Sequence, residues 1–339
     1  MLDGARGTLL RTTPLGSAPR DLAVAVATRR VFVADRVDNT VSVLDARTGV
    51  LLRTVAVNPM PLYGAQPLAL DAAAGRLFVA ASGGSTMVGR DPVRALSVLD
   101  ARAGALVRVV AAGGGAMAAD ERRDRIFAAD EGGVAALDAR RLTVRWRTAL
   151  PVAPYHVVVA PRAGRVIVSA ADVMARVDLL AASSGKLLRT IPHAGQIMAL
   201  DDQQGRIIAA TDTRLRVLDA RSGRLIRSLP ITGVVAVAVD GRRGCVFVAT
   251  TNGRGNGRLS AIDERTGRIR AVIDLGGDPT DVAVDGRGGR VVVAVIGRSV
   301  SHPSPWAWLP QPLLHRLPFL AAPSTRSVPS GLRLLNAAC

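Results

Sequence analysis

The sequence predicts an all-β fold in which seven four-stranded antiparallel blades form a closed ring, a seven-bladed β-propeller. Three observations lead to it. A β-rich unit recurs seven times along the 339 residues, a strand–turn–strand unit follows most copies, and the two chain ends carry complementary parts of one unit. With 49% hydrophobic residues and two cysteines, the composition excludes a disordered chain and a disulfide-rich scaffold.

The first recurring unit is a short β-branched and aromatic run that usually follows an arginine. Its copies begin at Val31, Leu77, Ile126, Val166, Ile207, Val246 and Val291. The intervals of 39 to 49 residues suit one propeller blade per copy. A valine- and alanine-rich run precedes each copy, and small side chains suit a strand near the crowded ring axis. These two runs are strands A and B of each blade.

The second unit supplies the other two strands. It is clearest at residues 41–54 and returns at residues 96–104, 216–223 and 259–267. Each copy has a β-branched run, an Asp/Gly segment and a second β run. Asp and Gly favour turn geometry, so each copy is predicted to be strand, turn, strand. These runs are strands C and D.

The two chain ends complete one blade between them. Residues 333–337 match strand C at 216–220, and residues 7–12 match strand D at 49–54. An N-terminal strand that completes the last blade closes the ring and leaves no open edge between blades. The sequence therefore predicts a single domain over residues 1–339.

A Pro-rich apolar insertion at residues 297–331 interrupts strands B and C of the seventh blade. It includes Trp306, Trp308 and Phe319, and ordinary loops here are only a few residues long. We expect it to act as a lid over the channel or as a docking patch for a partner or membrane surface. The alternative is an excursion packed on its own propeller.

The repeat resembles a known family. Residues 31–35 read VFVAD and residues 39–45 read NTVSVLD, which is similar to the YVTN-type β-propeller repeat of YncE-like proteins over nearly the whole chain outside the insertion. The resemblance implies a binding protein, commonly exported in bacteria, and implies no catalytic residue. The first residues lack the apolar stretch of a signal peptide, and no segment suits a transmembrane span. An extracytoplasmic location is therefore expected from the resemblance alone.

The net charge of +17 is nearly all arginine. The D strands carry eight arginines and no acid, which we interpret as charge that discourages pairing at exposed edges. The face with the A–B and C–D turns (the turn face) holds a further basic excess. Polyanion or nucleic-acid binding there is the alternative function, although acids are interspersed among these arginines.

The opposite face, where strand A begins (the mouth face), is the predicted binding surface. The residues ten positions before the strand-B anchors are Asp21, Pro67, Ala116, His156, Ile197, Ala236 and Asp281. Ring closure makes Asp21 and Asp281 neighbours, and with Arg20 beside them they suit a cation or a shared proton. Tyr155 and His156 lie across the ring, and Gln196 precedes Ile197. The alternative is that both carboxylates bond nearby backbone amides in Pro-x-Asp turns.

We therefore predict a non-catalytic scaffold that contacts a protein or small molecule at the channel mouth and the insertion. The alternative is a propeller enzyme of the lyase or lactonase class with a polar or metal site at the mouth. No cofactor is predicted, and a divalent cation belongs to that alternative only. Cys245 and Cys339 fall on the turn side of adjacent blades; free thiols are expected, with a disulfide as the alternative.

Overall fold

The predicted fold is confirmed in a computed structural model, where seven four-stranded antiparallel sheets form a β-propeller. The structure describes residues 9–16, 18–57, 68–82, 94–110, 115–130, 132–170, 172–297, 299–301, 325–327 and 330–336. All regular elements within these ranges are strands, numbered β1 to β30 in chain order. Each sheet follows the predicted A–B–C–D order.

The first four blades are built from consecutive strands. Blade 1 has β2 (Pro19–Ala25), β3 (Arg30–Asp35), β4 (Thr40–Asp45) and β5 (Leu51–Ala56). Blade 2 has β6 (Leu68–Asp71), β7 (Arg76–Ser82), β8 (Arg94–Asp100) and β9 (Ala105–Val110). Blade 3 has β10 (Ala116–Asp120), β11 (Arg125–Asp130), β12 (Gly133–Asp138) and β13 (Val144–Ala149). Blade 4 has β14 (Pro154–Ala160), β15 (Arg165–Ala170), β16 (Val177–Ala181) and β17 (Leu187–Ile191).

The remaining blades follow the same plan, and the last one uses both chain ends. Blade 5 has β18 (Ile197–Asp201), β19 (Arg206–Ala210), β20 (Arg214–Asp219) and β21 (Leu225–Pro230). Blade 6 has β22 (Val234–Asp240), β23 (Cys245–Thr250), β24 (Arg258–Asp263) and β25 (Ile269–Asp274). Blade 7 has β26 (Asp278–Asp285), β27 (Arg290–Ile296), β30 (Gly331–Asn336) and β1 (Leu9–Pro14).

The ring closes as the sequence predicts. Strand β1 pairs antiparallel with β30, with Thr12 opposite Arg333, so the N-terminal strand is strand D of blade 7. The A strands contact one another in series around the axis, and β26 of blade 7 contacts β2 of blade 1. The first and last blades are therefore neighbours.

The core lies between the faces of adjacent blades. Most apolar side chains of the B strands are buried, and Phe32, Phe78 and Phe127 are completely so. One apolar cluster joins Phe247 of blade 6 to Val291 and Leu335 of blade 7. The D strands are mostly exposed, because each forms the outer edge of its sheet.

The D strands include one acid, Asp274 at the end of β25, so the expectation that they carry none was wrong. Their arginines also make specific contacts. Arg11, Arg108 and Arg189 each donate to a backbone carbonyl in the C–D turn of the next blade, at 3.4, 2.8 and 2.7 Å. Arg145 and Arg270 instead pair with the aspartate of their own C–D turn. These arginines therefore join and brace turns as well as lying on exposed strands.

The arginine that opens strand B links adjacent blades, a role that the sequence analysis did not foresee. Arg76, Arg125 and Arg290 donate from Nη1 to the backbone carbonyls of Ala139, Ala182 and Ala46, at 3.0, 2.9 and 3.2 Å. Each acceptor follows strand C of the next blade. In blade 5 the equivalent Arg206 pairs at 3.2 Å with the buried Glu264, which replaces the alanine.

Cys245 takes this arginine position in blade 6. It is fully buried and disulfide-bonded, so the expectation of free thiols was wrong for this residue. Cys339, the other cysteine of the sequence, lies outside the described residues. A covalent link thus stands where the other blades use an arginine.

The insertion is only partly described. Strands β27 and β30 pair with each other, with Val295 opposite Gly331, and the chain between them contains the short hairpin β28 (Ser299–Ser301) and β29 (Thr325–Ser327). Trp306, Trp308 and Phe319 lie outside the described residues. The part of the chain that the structure describes contains no helix long and apolar enough to cross a membrane.

Candidate functional site

A cavity of about 750 Å³ opens at the mouth end of the channel. Arg20, Asp21, Tyr155, His156 and Asp281 line it, as do Ala116, Ile197 and Ala236 from the other blades. These residues start the A strands, because the repeat places the same strand position of every blade at the ring axis. The predicted mouth residues are therefore brought together, apart from Gln196 and from Pro67, which lies outside the described residues.

Asp21 and Asp281 lie side by side and bond backbone amides of the next blade. The N–H of Leu22 donates to Asp281 Oδ2 at 2.6 Å and to Asp21 Oδ1 at 2.9 Å. The N–H of Leu68 donates to Asp21 Oδ2 at 2.6 Å, and that of Val282 donates to Asp281 Oδ1 at 2.8 Å. The two carboxyls thus staple blade 7 to blade 1 and blade 1 to blade 2.

The two carboxyls also interact with each other, because two neighbouring acids in a buried site do not readily ionise together. Burial raises the pKa of Asp281 well above its usual range, and the charge of Asp21 raises it further. Burial raises the pKa of Asp21 as well, although its bond with Asp281 and its amide bonds oppose that shift. The raised pKa values mean that the pair retains one proton, shared by the two carboxyls, to a higher pH than a free carboxyl would.

His156 faces the pair from blade 4. Burial lowers the pKa of its imidazole, and the negative charge of Asp21 only partly offsets this, so the ring is neutral at pH 7. Its Nδ1 atom is buried and has no hydrogen-bond partner among the described residues. A buried polar atom without a partner is costly, so it is a candidate contact for a ligand or water.

Tyr155 and Arg20 are the accessible polar groups at the rim. Tyr155 is 47% exposed and Arg20 is exposed. Thr280 also lines the cavity, but its hydroxyl donates to the carbonyl of Pro19 at 2.7 Å. It therefore adds another link between blades 7 and 1.

Gln196 lies away from the cavity and has a partner of its own. Its Nε2 donates to the carbonyl of Asp172 at 2.8 Å, and its own carbonyl accepts from Ser169 Oγ at 2.6 Å. Gln196 thus connects blade 5 to the B–C loop of blade 4. The sequence could place it near the mouth, but it could not show where the side chain turns.

The rest of the cavity wall is apolar. Met117, Met198, Val235 and Val237 line it on the side of blades 3, 5 and 6. The sequence analysis singled out polar residues and missed the methionines, which directly follow the mouth positions Ala116 and Ile197. The mouth therefore has one polar sector and one apolar sector, a combination typical of binding cavities.

The chemistry available to the mouth follows from these contacts. Each oxygen of the carboxyl pair already accepts a backbone N–H, so at most one lone pair on each oxygen remains for another partner. Within the described ranges no three His, Cys, Asp or Glu side chains group together as metal ligands. The groups free to contact a ligand are the imidazole of His156, the phenol of Tyr155 and the guanidinium of Arg20.

Comparison with known proteins identifies the family. No curated protein matches the sequence. A family model described as "Outer membrane protein assembly factor BamB" matches residues 93–287, which is more than half of the chain and runs from strand C of blade 2 into blade 7. The chain therefore belongs to this family of β-propeller repeat proteins.

Proposed function

We propose that this protein is a non-catalytic interaction scaffold that holds a segment of a partner protein in the channel mouth. The observation that carries the proposal is the cavity of about 750 Å³, whose polar sector contains an unpartnered buried imidazole nitrogen. The family description names an assembly factor, and such a role supports a protein as the partner. The repeat itself is proposed to be of the YVTN type.

The cavity suits a segment with one apolar and one hydrogen-bonding side chain. The methionine and valine wall provides the apolar contact, and His156, Tyr155 and Arg20 provide polar contacts opposite it. The insertion of blade 7 is proposed as a second contact. An extracytoplasmic location is proposed as well, since a disulfide at Cys245 persists in oxidising compartments.

Site-specific cross-linking tests the mouth. A photoreactive amino acid replaces Tyr155 in one variant and Val173 in another, which is 99% exposed in the B–C loop of blade 4, on the mouth face outside the cavity. We expect a protein adduct from position 155. Val235→Arg, which fills the apolar wall, should abolish this adduct, whereas Val107→Arg on an outer D strand should not.

Equal adducts from positions 155 and 173, unaffected by Val235→Arg, would overturn the proposal. A small ligand instead of a protein would give no adduct, and native mass spectrometry would detect its added mass on the wild type but not on Val235→Arg. Both outcomes are distinct from a failure to fold, which circular dichroism detects.

An enzyme of the lyase or lactonase class at the same mouth is the second candidate. The observation that favours it is the proton shared by Asp21 and Asp281 beside a neutral His156, since groups with opposed pKa shifts suit acid–base chemistry. It predicts a divalent cation bound near these residues. Elemental analysis of native protein without such a metal, together with unchanged ligand binding by Asp21→Asn, would eliminate this metal-dependent version.

A further inference from the structure

The turn face is more basic at its surface than its residue count indicates. Ten of its turns begin with an aspartate: Asp45, Asp71, Asp100, Asp120, Asp138, Asp201, Asp219, Asp240, Asp263 and Asp285. A count of formal charges sets these acids against the neighbouring arginines. The structure separates the two sets by depth.

The aspartates point into their own turns. Asp100 Oδ1 accepts from the N–H groups of Arg102 and Ala103, both at 2.7 Å, and Asp285 Oδ1 accepts from Arg287 and Gly288 at 3.1 and 3.0 Å. The other eight turns use at least one such bond. Seven of the ten are buried, Asp71 and Asp120 completely, and the other three, Asp45, Asp100 and Asp219, are half-buried.

The arginines beside them point outward. Arg47, Arg102, Arg221 and Arg265 occupy the same position in the C–D turns of blades 1, 2, 5 and 6, and all are exposed. The A–B turns add exposed arginines at Arg29, Arg122, Arg242 and Arg287. None of these eight side chains has a hydrogen bond or ion pair with another described residue.

Few acids remain near the surface of this face. Asp124 and Asp202 are paired with Arg140 and Arg162, at 3.0 and 3.6 Å, and Glu121 is exposed at the A–B turn of blade 3. Because charge interactions weaken with distance and with salt, an approaching anion meets the arginine tips before the sunken carboxylates. The turn face therefore presents two concentric sets of free guanidinium groups.

We propose that the turn face binds an anionic membrane surface through the phosphates of its headgroups. Guanidinium groups pair well with phosphate oxygens. The described A–B and C–D turns lie at one end of the ring, so a planar surface can contact many of them together. A duplex nucleic acid is a rod and meets only a strip of the ring. A single strand needs aromatic stacking partners, and the described A–B and C–D turns contain no aromatic residue.

Vesicle binding tests this proposal with two variants of equal charge. In the first, Arg47, Arg102, Arg221 and Arg265 are all changed to Gln. In the matched control, four exposed arginines of the mouth side, Arg36, Arg214, Arg254 and Arg258, are changed to Gln. The probes are vesicles of phosphatidylcholine alone or mixed with phosphatidylglycerol, and binding is measured by co-sedimentation at low and physiological salt.

We expect wild type and control to bind only the phosphatidylglycerol vesicles, and the turn-face variant to bind at least about tenfold more weakly. Equal losses in both variants would overturn the proposal, because they would show a response to net charge alone. Absence of wild-type binding at low salt would overturn it too. Tighter binding to a duplex or single-stranded oligonucleotide than to vesicles would reassign the face to nucleic acid. Thermal unfolding shows whether each variant is folded.

Discussion

Asp281 Oδ2 in blade 7 accepts a hydrogen bond of 2.6 Å from the backbone N–H of Leu22 in blade 1. The two residues are 259 positions apart in the sequence, and the contact lies at the junction where the ring closes. The same carboxyl lines the candidate binding cavity. One side chain therefore contributes both to ring closure and to the wall of the mouth.

Replacing Asp281 with alanine should destabilise the fold. The change leaves the N–H of Val282 without its acceptor and removes one of the two carboxyl acceptors of the Leu22 N–H, which keeps Asp21. An unsatisfied buried donor costs about 1–3 kcal/mol. Urea unfolding measures the loss. Asp212→Ala is the control, since Asp212 is exposed on the mouth side and its carboxylate has no partner among the described residues. Equal stability of the two variants would contradict a stabilising role for the hydrogen bonds of Asp281.

Glu264 should make stability depend on pH. Burial and the neighbouring Asp201 raise its pKa to about 7, and Arg206 opposes them only in part. The folded protein thus holds a proton that the unfolded chain releases near pH 4.5, so this contribution to stability is present at low pH and is lost as pH rises towards 7.

Glu264→Gln should remove that dependence. Relative to wild type, the variant should gain on the order of 2–3 kcal/mol in unfolding free energy between about pH 4.5 and 7.5. Urea unfolding of wild type and variant at several pH values measures the difference in unfolding free energy. The Asp21–Asp281 pair is present in both proteins, so the stability that it loses as pH rises cancels in this difference. Asp212→Asn provides the control. Parallel pH curves for wild type and Glu264→Gln would refute the assignment.

Arg76→Ala should weaken the contact between blades 2 and 3. The guanidinium donates at 3.0 Å to the carbonyl of Ala139, which belongs to a buried residue, and its loss should cost about 1–2 kcal/mol. Arg102→Ala removes an exposed arginine without such a bond and should change the unfolding free energy by less than about 0.5 kcal/mol. Thermal and urea unfolding compare the two, and indistinguishable values would contradict the link.

The disulfide at Cys245 should be detectable and stabilising. Protein prepared and denatured without reductant should show no free thiol. Treatment with a reductant should then raise the intact mass by two hydrogen atoms. Reduction or Cys245→Ser should lower stability by about 2–4 kcal/mol, as is typical when a disulfide is lost. A full complement of free thiols in native protein would show that the bond does not form.

Much of the fold could be predicted because the strand and turn pattern of one blade recurs seven times in the sequence. The strand-B anchors place every blade, and the match between residues 7–12 and a D strand places β1 beside β30. The repeat also explains why counting ten residues back from each strand-B anchor located the mouth. Asp21, His156 and Asp281 hold equivalent positions in their blades and line the same cavity. Gln196 shows the limit: backbone position was predictable, but its side chain turned to Asp172.

The sequence by itself determined the blades, their number, the closure of the ring and which residues begin strand A, because strand period and turn residues are local signals that repetition reinforces. Only the tertiary structure decided what the polar side chains do. Distances between blades and the exclusion of water decide three of its features. These are the proton shared by Asp21 and Asp281, the buried Nδ1 atom of His156 that has no partner among the described residues, and the burial of turn aspartates beneath exposed arginines. Those quantities arise only when the ring is assembled.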